Sequence, residues 1–289
     1  MMTVNHRCSF LSAWLKAGSM SFLLLLSLSV IASPQDKKEV TFSHQTVLDL
    51  AKKRAQKPFK IPTQAPISLT RLDAETYQKI RFQQQSAIWG NSPTPFSIQL
   101  FAPGFLYKNL VDIDIVESGK SVPINVTESS FKVPNPEIAN ALAQVGKYAG
   151  FRLHYPLSKG QEKNEFIIFQ GASYFRAVSK GQLYGISARG LAIDVAEPKG
   201  EEHPTFTHFW IERPGKDQTA IVVHALLDSK SVTGAYRFGI YPNDPTRMDV
   251  KVTLFPRVDI LHIGLAPLTS MFLHGSMVPA KSTDYRPQV

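Results

Sequence analysis

The 289-residue chain contains a single cysteine, Cys8, which lies ahead of its longest apolar stretch. Beyond it there is no thiol to form a disulfide, hold a metal or act as a nucleophile. That composition suits an oxidising compartment, where a stray thiol is a liability. A lipoprotein anchor does not fit either, because the apolar run follows Cys8. Seven histidines follow residue 32, none paired at the spacing of a zinc-binding helix, and His203, His208 and His224 fall in separate strands or loops. The chain has no Gly-x-Ser-x-Gly elbow, no phosphate-binding loop and no Gly-x-Gly-x-x-Gly after a strand. Acyl transfer and nucleotide binding thereby lose their usual supports, and no cofactor is expected. Internal repeats and low-complexity segments are also missing.

Dense charge is scarce. The formal net charge is +9, yet Lys52, Lys53 and Arg54 form the only basic cluster and no aromatics interleave with it. A nucleic-acid partner is therefore not expected. The scattered charge reads as a solvated basic surface that mildly favours anionic partners.

The one long apolar stretch, residues 20–31, follows a basic region with Arg7 and Lys16 and ends at Ala32. This is the pattern of an export signal cleaved after Ala32. It is far shorter than the about 20 residues that span a bilayer, so no stable membrane insertion is expected after cleavage. Loss of Arg7 and Lys16 leaves +7 on the remaining chain. The reading is residues 1–32 as signal and 33–289 as the exported part, located in the periplasm.

Twenty prolines and seventeen glycines sit among short apolar runs, which suits many strands joined by turns better than long helices. One helix is well signalled: Ser43 as N-cap, Phe42 and Val47 as a hydrophobic staple, Val47, Leu48, Leu50, Ala51 and Ala55 as the apolar face, and Pro58 as the stop. Shorter helices are expected at 73–79 and 134–145. Strands are predicted at 96–101, 111–116, 151–155, 166–169, 173–178, 183–188, 191–195, 206–212, 220–227, 234–241 and 248–255, separated by Gly- and Pro-rich turns. Short strands at this spacing predict an all-β fold, a large antiparallel sandwich with minor helices.

Polar and aromatic side chains crowd neighbouring strands: Tyr174 and Arg176, then Tyr184, Arg189 and Asp194, then Trp210, Glu212 and Arg213. Sugar rings pack their C–H faces on aromatics, and their hydroxyls take planar partners such as guanidinium and carboxylate groups. Residues i and i+2 of a strand share a face, so Tyr174 pairs with Arg176 and Trp210 with Glu212. Each residue also has a structural reading: Arg189 and Asp194 as a buried ion pair, Trp210 as core.

The stretches Gly171-Ala-Ser-Tyr-Phe-Arg176, Gly181-Gln-Leu-Tyr-Gly-Ile-Ser-Ala-Arg-Gly-Leu-Ala-Ile-Asp194 and Phe209-Trp-Ile-Glu-Arg-Pro214 resemble the periplasmic glucan biosynthesis proteins of the G and D types (MdoG/OpgG and OpgD). So do Ala225-Leu-Leu-Asp-Ser229, Thr233-Gly-Ala-Tyr-Arg-Phe238 and Leu265-Ala-Pro-Leu-Thr-Ser-Met-Phe-Leu273. The resemblance runs from about residue 43 to the end. It implies a sandwich of galactose-mutarotase-like type followed by a smaller immunoglobulin-like domain, in proteins that help make osmoregulated periplasmic glucans with a β-1,2-linked backbone.

Complete members look like inverting endo-β-1,2-glucanases, whose chemistry needs an acid and a base carboxyl. The family's base belongs to a His-Asp-Ser-type motif expected just after Val289, and its acid and immunoglobulin-like domain lie farther on. The expectation is therefore an incomplete sandwich without catalytic residues, inactive by itself and marginally folded, with a glucan as partner. Tyr285 and Arg286 complete the substrate-binding candidates. The alternative reading is a noncatalytic carbohydrate scaffold assisting a membrane glucosyltransferase. Asp194 with Glu212 is the one carboxylate pair considered for catalysis within the chain. The lack of a twin-arginine pair before the apolar run leans toward the G type.

Overall fold

The computed structural model describes residues 41–124, 130–157, 162–182 and 185–269. Helix α1 (His44–Ala55) starts where the Ser43 amide donates to Thr46 Oγ1 at 3.2 Å, and it buries Val47 and Ala51. Lys52, Lys53 and Arg54 fill its last turn, where cations complement the helix dipole. The helix stops at Ala55, three residues before Pro58. A one-turn helix, α2 (Ile67–Thr70), carries no periodic signal, whereas α3 (Ala74–Gln78) is capped by Asp73 accepting the Thr76 amide at 2.7 Å. In α4 (Pro136–Val145), Asn135 accepts the Ile138 amide and Gly146, at φ 62°, closes the end.

Two six-stranded sheets make up the body. Neighbouring strands of the first are β16 (Leu268–Thr269), β9 (Ile186–Arg189), β8 (Tyr174–Ala177), β7 (Asn164–Gln170), β6 (Gly150–Tyr155) and β2 (Ser97–Phe101), all antiparallel. The second runs β14 (Arg247–Pro256), β13 (Val232–Tyr241), β12 (Ile221–Asp228), β11 (Thr205–Glu212), β3 (Asp112–Glu117) and β4 (Lys120–Pro123). Small pairs, β1 (Arg81–Phe82) with β5 (Phe131–Lys132) and β10 (Leu191–Ile193) with β15 (Ile263–Leu265), complete the strands among the described residues. The fold is the expected all-β sandwich with one departure: β3 and β11 run parallel. The chain between them builds most of the first sheet, and a crossover that long permits parallel pairing.

The sheets close on aromatic rings. Phe169 of β7 lies within ring contact of Phe151 and Phe175 on its own sheet, at 5.1 and 5.9 Å, and of Phe209 and Phe238 on the other, at 5.4 and 5.0 Å. Phe206 also joins this core, although it and Phe209 stand at odd spacing along β11. A register shift between Phe206 and His208 turns both rings to the same side. Gly150 opens β6 at φ 142°, where an added Cβ would meet the Phe169 carbonyl oxygen at 2.1 Å, so only glycine fits beside that ring's backbone. At the edge of the second sheet, β14 leaves Val250 40% exposed.

Because Phe169 touches both sheets, Phe169→Ala is expected to lower unfolding stability by about 3–5 kcal/mol, read as a fall in the urea midpoint. An unchanged midpoint would contradict the packing.

Candidate functional site

Phe175 points into the core, so its neighbours Tyr174 and Arg176 face outward from the first sheet. Across the ladder Tyr174 stands opposite Arg189, whose guanidinium lies 5.3 Å from the tyrosine ring centroid. Arg189 is ion-paired to Glu201. Arg176 Nη2 donates to Glu165 Oε1 at 3.1 Å, and Arg152 Nη1 donates to Glu165 Oε2 at 3.0 Å. One carboxylate is thus clamped between two guanidiniums, both still in contact with solvent. Arg152 also stacks over Phe101, 5.3 Å from its centroid.

At the β7–β8 turn this face runs into a cavity of about 210 Å³ whose polar rim includes Gln64, Tyr107, Asn109, Gln170 and Tyr174. The cavity sets tyrosine rings beside side-chain amides, and Tyr174 joins it to the guanidinium-bearing face. Sequence reasoning missed Arg152, Glu165, Phe101 and Tyr107. Arg152 was legible, since it alternates with the core residues Phe151 and Leu153. Glu165 was not, because it sits at a strand end behind the bulge between Leu153 and His154.

Trp210 and Glu212 do not join this surface. Phe209 and Ile211 fill the core, and alternation sends Trp210 and Glu212 to the opposite, outer side of the second sheet. Trp210 is 3% exposed there, stacked between Phe42 at 5.7 Å and His208 at 3.7 Å under the start of α1. Its structural reading holds: it is core of the helix-docking layer. Glu212 accepts from His224 Nε2 at 2.6 Å, and that bond holds its carboxyl below the usual range. His224 Nδ1 in turn lies 3.1 Å from His44 Nδ1. Burial, reinforced by His224, Lys251 and Arg237, lowers the His44 pKa to about 4. Nearby, burial pushes Asp114 up, but bonds from His208 at 2.9 Å and Ser121 at 2.5 Å outweigh it and hold the carboxyl low.

The remaining candidates scatter. Asp194 turns the chain after β10 at φ 55° and pairs with Lys199 at 2.9 Å, so it forms no ion pair with Arg189. Arg213 sits past the end of β11, bound to Glu117 at 2.6 Å and to Ser92. Tyr184, Tyr285 and Arg286 lie outside the described residues. Asp194 and Glu212 are held by different partners, Asp194 by Lys199 and Glu212 by His224. Among the described residues no three His, Cys, Asp or Glu side chains converge to hold a metal ion.

The class these observations define is an all-β sandwich that presents a guanidinium, carboxylate and aromatic surface on one sheet. Residues 42–289 match the family model described as periplasmic glucan biosynthesis protein, MdoG, and the chain belongs to that family. It is 66% identical over 254 residues to glucans biosynthesis protein G 2 of Shewanella oneidensis, covering 88% of this chain and 48% of that protein. Glucans biosynthesis protein G of Rhodopseudomonas palustris is 45% identical, covering 88% of this chain and 50% of that protein. The Vibrio cholerae protein of the same name is also 45% identical, covering 87% and 46%. The chain spans about half the length of these relatives. No helix among the described residues is long and apolar enough to cross a membrane.

His44 titrates near 4 in the folded protein against 6.5 ordinarily, so between those values the unfolded chain binds the extra proton and stability falls as pH falls. Below about pH 4 this contribution is fully lost. Urea midpoints measured across that range should drop more steeply for the wild type than for His44→Asn. Parallel curves would show that His44 does not couple α1 docking to pH.

Proposed function

We propose that this protein takes part in making or processing osmoregulated periplasmic glucans with a β-1,2-linked glucose backbone, and that it holds the glucan on the outer face of the first sheet. The observation that carries the reading is the Arg152–Glu165–Arg176 clamp beside Tyr174 and Arg189. Fixed guanidiniums supply planar donors to sugar hydroxyls, and the tyrosine supplies a ring for a C–H face. The export signal read at residues 1–32 would deliver it to the periplasm, where family members are named as acting.

In this reading the stretch described contributes binding, not bond cleavage. Inverting hydrolysis needs one carboxyl held protonated and another free to activate water. On this face Glu165 is held by two arginines and Glu201 by one, so both carboxylates already have partners. The same pairing supports the second reading, a noncatalytic scaffold that receives glucan from a membrane glucosyltransferase.

Calorimetry of the purified protein with linear β-1,2-glucan tests this. Arg176→Ala should weaken binding by about tenfold or more, the scale of a hydrogen bond from a charged group. Glu212→Gln, on the opposite face, should change it less than about twofold, and chromatography should find no cleavage products. Unaltered affinity in Arg176→Ala would refute the assignment of the face, and product release would refute the noncatalytic role.

A further inference from the structure

A groove of about 560 Å³, sharing no lining residue with the first sheet's outer face, lies between the C-terminal half of α1, the segment 57–63 that follows it, and the flank of the second sheet, where it reaches His208. Its charged lining is Lys53, Arg54, Lys57, Lys60 and Lys147 with Asp112 and Asp228. The two carboxylates are already neutralised within the protein. Lys147 pairs with Asp112 at 2.6 Å, and Asp228 takes Arg257 at 2.8 Å and Arg54 at 3.5 Å. Lys53, Lys57 and Lys60 have no ion pair among the described residues. No Asp or Glu occurs anywhere from Leu50 to Leu72 to supply one from the same segment.

The groove is built in place. Arg257 donates to the carbonyls of Lys57 at 3.1 Å and Arg54 at 3.0 Å, which ties down the start of the segment. The Leu110 amide donates to the Thr63 carbonyl at 2.9 Å and pins its far end. Between these ties Ile61 stands 76% exposed, and Leu50 on the helix is 40% exposed, both lining the same groove.

We propose that this groove binds an elongated, soluble polyanion, a chain molecule bearing phosphate or carboxylate groups along its length. The three unmatched lysines take its charges, and Leu50 and Ile61 pack its uncharged body. Lysines set in the walls of a concavity reach around a narrow ligand, whereas a flat bilayer would meet only those at the rim. No Phe, Tyr or Trp lines the groove, so the stacking platform that single-stranded nucleic acid needs is missing. The proposal does not depend on the glucan reading, which concerns the other sheet.

Tripolyphosphate serves as the probe in calorimetry at low and high salt. The wild type should bind, and less tightly at high salt, as screening requires. The triple variant Lys53→Gln, Lys57→Gln, Lys60→Gln should lose about tenfold or more in affinity, the scale of several charge-assisted contacts. A control with the same charge change elsewhere, Lys180→Gln, Lys216→Gln, Lys230→Gln, should lose little. The proposal is overturned by failure of the wild type to bind, or by equal losses in the two variants, which would make overall charge the cause. Binding to phosphatidylglycerol vesicles without binding to tripolyphosphate would also overturn it and make the segment a membrane-facing surface.

Discussion

Phe169 and the rings around it hold the two sheets face to face, and nearly every other feature of the molecule is oriented by that contact. Once Phe169, Phe175 and Phe209 point inward, the pleat leaves no choice for their neighbours. Tyr174 and Arg176 emerge on one outer face, and Trp210 and Glu212 on the other. The side-chain period of two therefore converts a packing requirement into an assignment of surfaces. A single glycine, Gly150, lets the β6 backbone pass the Phe169 carbonyl closely enough for the contact to form.

The two outer faces solve different problems. On the second sheet an apolar layer of Val116, Trp210, Leu226 and Ala235 needs a cover, and α1 supplies it with Val47 and Ala51. The polar residues beneath its first turn are consumed in that docking, His44 with His224 and His224 with Glu212. The outer face of the first sheet is satisfied instead by guanidinium–carboxylate pairs that remain in contact with solvent. These pairs are part-buried, with the edges of both guanidiniums left in contact with solvent. Lysines beside α1 that no carboxylate answers are a third feature, produced by a run of sequence without acidic residues.

Strand positions were legible because alternation reports burial directly. The prediction 206–212 became β11, 234–241 became β13 with two further residues at its start, and the helices at α1, α3 and α4 carried recognisable caps. The fold class followed from the same pattern. What alternation cannot report is which sheet a strand joins. Pairing Tyr174 with Arg176, and Trp210 with Glu212, was right within each strand. That β8 and β11 belong to different sheets is set by pairing and not by alternation. The parallel meeting of β3 and β11 and the bulge at Phe206 were invisible for a related reason, since both depend on a partner far away in sequence. Asp194 and Arg189 looked like mates at close spacing, yet the left-handed turn at Asp194 sends each to a different partner.

We propose that glucan contacts the first sheet's outer face and leaves the α1 side untouched. Amide hydrogen exchange with and without linear β-1,2-glucan tests it most directly. Added protection should concentrate in β6–β9 and the β7–β8 turn, with α1 and β11 unchanged. Protection centred on α1 and the ends of β11 and β12 would contradict the claim and return Trp210 and Glu212 to the binding surface.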